Sequence, residues 1–233
     1  MNNRTLSWAR LSAEFVVIVI GVLAALAVDQ WRNALDDRAL ELEYAGRLKA
    51  DLAADTLRFS EFETPLTLKI GLLVKLLESG GVPPPVEDAN AMMYRLRYST
   101  YVAIPESQSE TFREMESSGT LGLLSHIGLR GSLAGYYAGH RFMSDILSTS
   151  FGGYRELVTG ALPGGLWYES QIDSTVIDPI DLEHGLRVLV THPELESAVN
   201  SELAYATSMT FYLRQFRAQA EDLLAQLEAE YPE

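Results

Sequence analysis

The run from Phe15 to Val28, FVVIVIGVLAALAV, holds fourteen residues without a charge and limits what this chain can become more than any other stretch. Extended back through Leu11 and Glu14, it is an eighteen-residue segment with one ionisable group near its N-terminal end. Trp8 and Trp31 bracket it where the interfacial aromatic residues of a membrane span fall. A helix rises roughly 35 Å between those tryptophans at about 1.5 Å per residue, enough for a hydrocarbon layer of ~30 Å. The expected organisation is a tail over residues 1–10, a transmembrane helix over 11–31, and an extramembrane domain over 32–233.

Two other readings compete. A cleaved signal peptide would use Arg4 and Arg10 as its basic region, Phe15 to Ala24 as its apolar core, and Ala25-Leu26-Ala27 as the small-residue cleavage site. A buried helix of a soluble protein is the other, but a helix apolar on every side with tryptophan at both ends has the pattern of a lipid-facing element. An uncleaved anchor is the expectation. Its membrane or partner contacts are expected at Trp8, Glu14, Phe15, Gly21, Ala25 and Trp31. Glu14 lies close enough to the edge of the layer to reach head groups, water or a second helix, and Gly21 with Ala25 makes a weak small-xxx-small surface.

The chain carries 18 Lys and Arg against 32 Asp and Glu, a net charge of −14, and almost all of the acid follows the apolar segment. Such a surface repels phosphates, so nucleic acid is excluded as a partner. Cysteine is absent, which removes disulfides, thiolate zinc sites and cysteine nucleophiles.

The segment from Glu14 to Trp31, followed by an acidic helix with Glu43-Tyr44 and Leu48-Lys49-Ala50-Asp51-Leu52, resembles a family of uncharacterised bacterial proteins with one N-terminal membrane helix. Its members read as an acidic residue, a VVIG-type apolar run, a polar pair and tryptophan, then a helix ending in leucine, lysine and aspartate. A second similar stretch runs from Thr111 to Gly119, then Leu121, Leu123-Leu124, Leu129-Arg130 and Tyr136-Tyr137. The two touch about a quarter of the chain. Asp29-Gln30 departs from the asparagine-containing version of the motif. The resemblance implies a single anchor and a helical extramembrane domain, and it carries no catalytic residues to transfer; the expected location is the bacterial inner (cytoplasmic) membrane. Arg4 and Arg10 before the span nearly balance Arg32 and Arg38 after it. Long domains translocate largely regardless of such charges, so the body is expected on the periplasmic side.

Beyond Trp31, the apolar residues Leu35, Ala39, Leu42, Ala45, Leu48 and Leu52 recur at three and four, so the membrane helix is expected to continue as a stalk toward Phe62 and to break or kink at Pro65. A second helix is expected over Leu66 to Leu77, ended by Gly80-Gly81 and the stiff connector Pro83-Pro84-Pro85. Asp88 caps a helix with Met92, Met93, Leu96 and Tyr101. Ser109 or Thr111 opens the next, Gly119 ends it, and Ser125 caps another from Ile127 to about Ser150. The glycine-rich stretch after it reads as a surface loop, a possible docking loop through Phe151, Tyr154, Trp167 and Tyr168. Ile172 to Ile180 is one weak strand. Thr191-His192-Pro193-Glu194 reads as a capping box opening a helix of some thirty-eight residues that stops before Pro232. The fold class is mainly α: a transmembrane helix continuing into a stalk, plus an extramembrane bundle with two long helices.

Chemistry is thin. His126, His140, His184 and His192 do not pair at metal-ligand spacing, and His140 behind Tyr136-Tyr137 reads as a core histidine bonded to its neighbours. Ser117-Ser118-Gly119 and Ser148-Thr149-Ser150 lack the nucleophile elbow, and no cofactor motif is present. The expected role is non-catalytic: an accessory or scaffolding subunit stabilising a larger membrane complex of respiratory or photosynthetic type. Its partners would be the lipid bilayer, other membrane subunits and a basic electron carrier steered by the acidic body. The alternative is a membrane-anchored sensor or ligand-binding module.

Overall fold

The computed structural model describes residues 8–100, 105–148, 153–162 and 178–232. Helix α1 spans Trp8–Glu78, α2 Ala89–Ser99 and α3 Glu110–Ser118, with a 3₁₀ turn over Thr120–Leu123. Helix α4 spans Ile127–Ser148, α5 Gly153–Ala161, α6 Pro179–Val190 and α7 Leu195–Glu230. No strand occurs among the described residues. The mainly α reading and its two long helices are therefore correct.

The first long helix is longer than expected. At about 1.5 Å per residue, its 71 residues extend roughly 105 Å. Its inner seam is a strict heptad: Glu41, Ala45, Leu48, Leu52, Asp55, Phe59, Phe62, Leu66, Lys69, Leu73 and Leu76 follow one another at alternating steps of four and three, and all are buried except the half-buried Phe62. Helix α7 carries the matching seam from Leu195, Val199 and Glu202 to Leu223 and Leu227. The two run antiparallel, since Glu41 meets Tyr231 just past the end of α7 while Lys69 meets Glu202 near its start. Helix α4 lies alongside through Leu129, Leu133, Tyr136 and His140, completing a three-helix core. A pattern that repeats every seven residues keeps one seam facing its partner along the whole length.

Pro65 does not end α1, contrary to the expected break, and the stretch from Leu66 to Leu77 is the same helix. Proline removes one backbone donor and crowds the preceding turn, at a penalty of about 3 kcal/mol. Beyond it Leu66, Leu72, Leu73 and Leu76 are all buried, and each is worth about 1.5–3 kcal/mol. Packing outweighs the defect. The Thr67 hydroxyl also donates to the Glu63 carbonyl at 2.9 Å beside it.

Two clusters divide the core. The first joins α1 from Tyr44 to Leu66 with α3, α4 and the later half of α7; the second joins Leu72, Leu73 and Leu76 with α2, α5, α6 and the start of α7. Between them sits the buried pair Lys69 and Glu202.

Local signals explain most helix ends. The Asp88 carboxylate accepts from the Ala91 amide at 3.0 Å, and Gly119 closes α3 at a φ of 74°, the left-handed region that glycine adopts freely. Three expectations are corrected. Thr191 caps the end of α6 by donating to the Arg187 carbonyl at 2.8 Å, so the capping-box reading fails and α7 begins at Leu195. His126, not Ser125, accepts from the first turn of α4, through Nδ1 to the Leu129 amide at 3.0 Å. Asp178 caps α6 through the Ile180 amide at 2.9 Å, so the end of the expected strand is helical. The rest of that strand, residues 172–177, lies outside the described residues.

The buried ion pair generates a test. Lys69→Met leaves the Glu202 carboxylate buried without its cation and is expected to destabilise the protein by about 3–5 kcal/mol. Adding Glu202→Leu is expected to restore most of that loss, because an apolar pair replaces a desolvated ionic one. Helical ellipticity followed through denaturant melts in detergent measures both, and a double variant no more stable than Lys69→Met would contradict this placement.

Candidate functional site

From Glu14 to Ala39 every described side chain is exposed, and Leu40 and Glu41 are the first that the body covers. Phe15 is 65% exposed and Trp31 66%, with Ile18, Ile20, Leu23, Leu26 and Val28 more than half exposed between them. The sleeve is apolar on all sides and no part of it is buried inside this chain, which disposes of the buried-helix reading. It is long and apolar enough to cross a membrane. Glu14, Phe15, Gly21, Ala25 and Trp31 all lie on it, and nothing stands within 4 Å of where a Gly21 side chain would begin. Trp8 opens the helix.

The exposed docking loop is not found at Tyr154. That residue lies in α5, is only 1% exposed, and places its hydroxyl 2.8 Å from Ser99 Oγ in the second core cluster. What reads as loop composition is a short helix whose Tyr154 and Val158 face inward. Phe151, Trp167 and Tyr168 lie outside the described residues.

The feature that residue-by-residue reading overlooks is a set of buried ionisable groups on α1, two heptads apart: Glu41, Asp55 and Lys69. Each meets a tyrosine from elsewhere in the body. Glu41 accepts from Tyr231 at 2.7 Å and from the Ser125 amide at 2.9 Å, with Arg38 one turn away. Burial pushes its carboxyl up, but those donors outweigh it and hold the pKa at about 2. Asp55 accepts from Tyr136 at 2.7 Å and from the Gln108 amide at 2.6 Å. Here burial is the stronger effect and raises the carboxyl to about 6 despite both bonds. The Lys69 ammonium bonds to Glu202 and lies 5.6 Å from the Tyr205 ring centre, its pKa lowered by burial against the opposing pull of Glu202.

His140 stacks on Phe59 at 5.5 Å, meets Phe216 edge-on, and places Nε2 3.1 Å from the Pro105 carbonyl. Burial lowers its pKa, so it behaves as a neutral core residue. No three His, Asp or Glu among the described residues converge to hold a metal ion.

A groove of about 710 Å³ opens between the distal part of α1 and α2, edged by Pro83-Pro84-Pro85 and floored by Leu68, Leu72 and Met92. It lies at the end of the body farthest along α1 from the apolar sleeve.

No protein-family model matches the chain, and no curated protein or solved structure matches it.

The opposed carboxyl shifts predict a pH signature. Asp55, raised from 3.8 to about 6, stabilises the fold below pH 4 and loses that contribution as pH rises through 6. Glu41, lowered from 4.5 to about 2, stabilises it above pH 4.5 and loses that contribution as pH falls toward 2. Asp55→Asn lacks the first effect, so its stability relative to the native chain is expected to improve by on the order of 2 kcal/mol between pH 4 and pH 7. Thermal melts across that range check it. Parallel curves for the two proteins would contradict the burial of this carboxylate.

Proposed function

We propose that the chain is a single-pass subunit of the bacterial inner membrane, anchored by residues 11–31, with its acidic body on the periplasmic side. It acts as a non-catalytic scaffold that stabilises a larger membrane protein complex. The observation that carries this reading is the continuity of α1, which runs from the apolar sleeve into both core clusters without a linker. An enzyme or a tethered receptor gains reach from a flexible connection. A part whose use is geometric needs the opposite.

Distances give the scaffold its shape. Ten residues separate Trp31 from Glu41, so the body begins about 15 Å beyond the edge of the span. The end of α1 at Glu78 stands about 70 Å beyond Trp31 by the same rise. The subunit is a post that holds its far end at a fixed height. The exposed sleeve would face lipid and the helices of other subunits, and the excess acid of the body would steer a basic mobile carrier toward the complex. Signal cleavage after Ala27 fits poorly, because Ala25, Leu26 and Ala27 lie inside an unbroken helix with its first proline at Pro65. The groove between α1 and α2 favours ligand binding as a second reading.

Fractionation tests the proposal. Native membranes washed with alkaline carbonate are expected to retain the protein, and mild detergent is expected to release it in a band well above its own 25.8 kDa. Since the chain has no cysteine, Leu57→Cys at an exposed position gives a single label site, expected to react with an impermeant maleimide from the periplasmic side. Release by carbonate would refute the anchor, migration only at monomer mass would refute the scaffold, and labelling only after lysis would reverse the orientation.

A further inference from the structure

We propose that the outer face of α4, with the side of α7 next to it, is where a second copy of this chain docks. The inference rests on the anchored reading, which stands both copies in one membrane with the same end up. Helix α4 carries two seams of the same period. Leu129, Leu133, Tyr136 and His140 fill the inner one. On the opposite side Gly128, Gly131, Gly135, Ala138 and Phe142 follow one another at alternating steps of three and four, and all five are exposed.

Large apolar side chains stand at one end of this face. Phe142 is 64% exposed and Phe211, on α7, is 63% exposed, with Ile146 half exposed one turn beyond Phe142. A Cβ added at Gly139 would lie 3.6 Å from the Phe216 ring, so those two residues mark one height on the body. Helix α4 runs in the direction of α1, since Ser125 meets Glu41 and Tyr136 meets Asp55, and α7 runs against it. Phe142, three residues after Gly139, and Phe211, five before Phe216, therefore both lie on the side of that height away from the membrane. Toward the membrane the face is bare backbone. Gly131 and Gly135 sit in the helix interior, where each costs about 1 kcal/mol relative to alanine. An added Cβ at either would meet nothing within 4 Å, so packing within the chain does not call for them.

Charge and area name the occupant. The chain carries a net charge of −14, yet the exposed residues of α4 from Ile127 to Ile146 include only Arg141 and Asp145 as charges. Those of α7 from Ala204 to Gln219 include only Arg214, which turns to Glu63 at 3.6 Å. Two acidic bodies repel over their other surfaces and approach with least opposition here, whereas a basic partner is drawn to the acid elsewhere. The face is two helices wide and about 30 Å long, roughly 600 Å² per copy at about 10 Å per helix. Two copies together bury about 1,200 Å², the lower end of stable interfaces. In a twofold pair about the membrane normal, α4 of each copy lies against α7 of the other in opposite directions and at one height. Gly135 then faces Gln219 of the second copy, and Phe142 faces its Phe211.

Sedimentation of the purified full chain in density-matched detergent tests the proposal. The expected protein mass is twice 25.8 kDa. Gly135→Leu puts bulk into the face and Phe142→Glu puts charge there, both at exposed positions. Each is expected to weaken self-association at least about tenfold without lowering the melting temperature. Gly21→Leu, on the sleeve, is expected to leave the dimer intact. A native chain that is monomeric at every concentration, or dimers undiminished in both folded face variants, would overturn the assignment. Carbonate-washed membranes read the anchor separately: a monomer that stays in them refutes the docking face alone, and a chain released from them refutes the anchored reading on which it rests.

Discussion

The structure depends on three desolvated charges along one seam. Glu41, Asp55 and Lys69 recur every second heptad along a seam otherwise filled by leucine, alanine and phenylalanine, and each is satisfied at one place only. A one-heptad slip of α7 along α1 would keep apolar residues opposite apolar ones. It would also leave Lys69 without Glu202 and Glu41 without Tyr231. An uncompensated buried charge costs several kcal/mol, about the whole stability of many domains, so the slipped arrangements are not competitive. The apolar residues supply the attraction, and the polar ones select the register.

A single register makes α1 one continuous helix braced along the body, and the proposed scaffold role rests on that continuity. Hydrogen bonds and packing hold α1 from Glu41 to Leu76, through Pro65, so rotation at one end must appear at the other. The exposed stretch from Trp31 to Ala39 is the one part of α1 between sleeve and body that tertiary contacts do not brace. There the helix relies on its own backbone bonds and on good helix formers such as Ala34, Leu35, Arg38 and Ala39. Stiffness at that junction separates a post from a tethered domain.

Much of this architecture is legible in the sequence because it is periodic. The apolar run, the stripe of α7 and the caps at Asp88 and Gly119 follow from local rules. The missed parts are those where tertiary contact overrides a local signal. Pro65 reads as a break, but the leucines beyond it are paired with residues more than a hundred positions away in the chain. Gly153 to Ala161 reads as a loop because its two glycines hide the inward spacing of Tyr154 and Val158. Thr191 reads as an N-cap, although a hydroxyl near the junction of two helices serves either one, and geometry decides for the earlier. Of the candidate site, the sleeve is visible from composition. The groove is not, since it needs two helices to fold back on one another. The buried charges were within reach, because Glu41, Asp55 and Lys69 fall on the heptad positions that the leucines define.

The continuity of α1 is the claim on which the functional reading stands, and a distance across it tests that claim most directly. Spin labels at Asp29→Cys and Leu68→Cys, in a chain with no other cysteine, report the interval from the end of the sleeve to an exposed position on the body just past Pro65. In nanodiscs, pulsed dipolar spectroscopy is expected to give one narrow distribution centred at about 58 Å, the rise of an uninterrupted helix. A broad distribution, or one centred much shorter, would mean a hinge between membrane and body and would contradict the account.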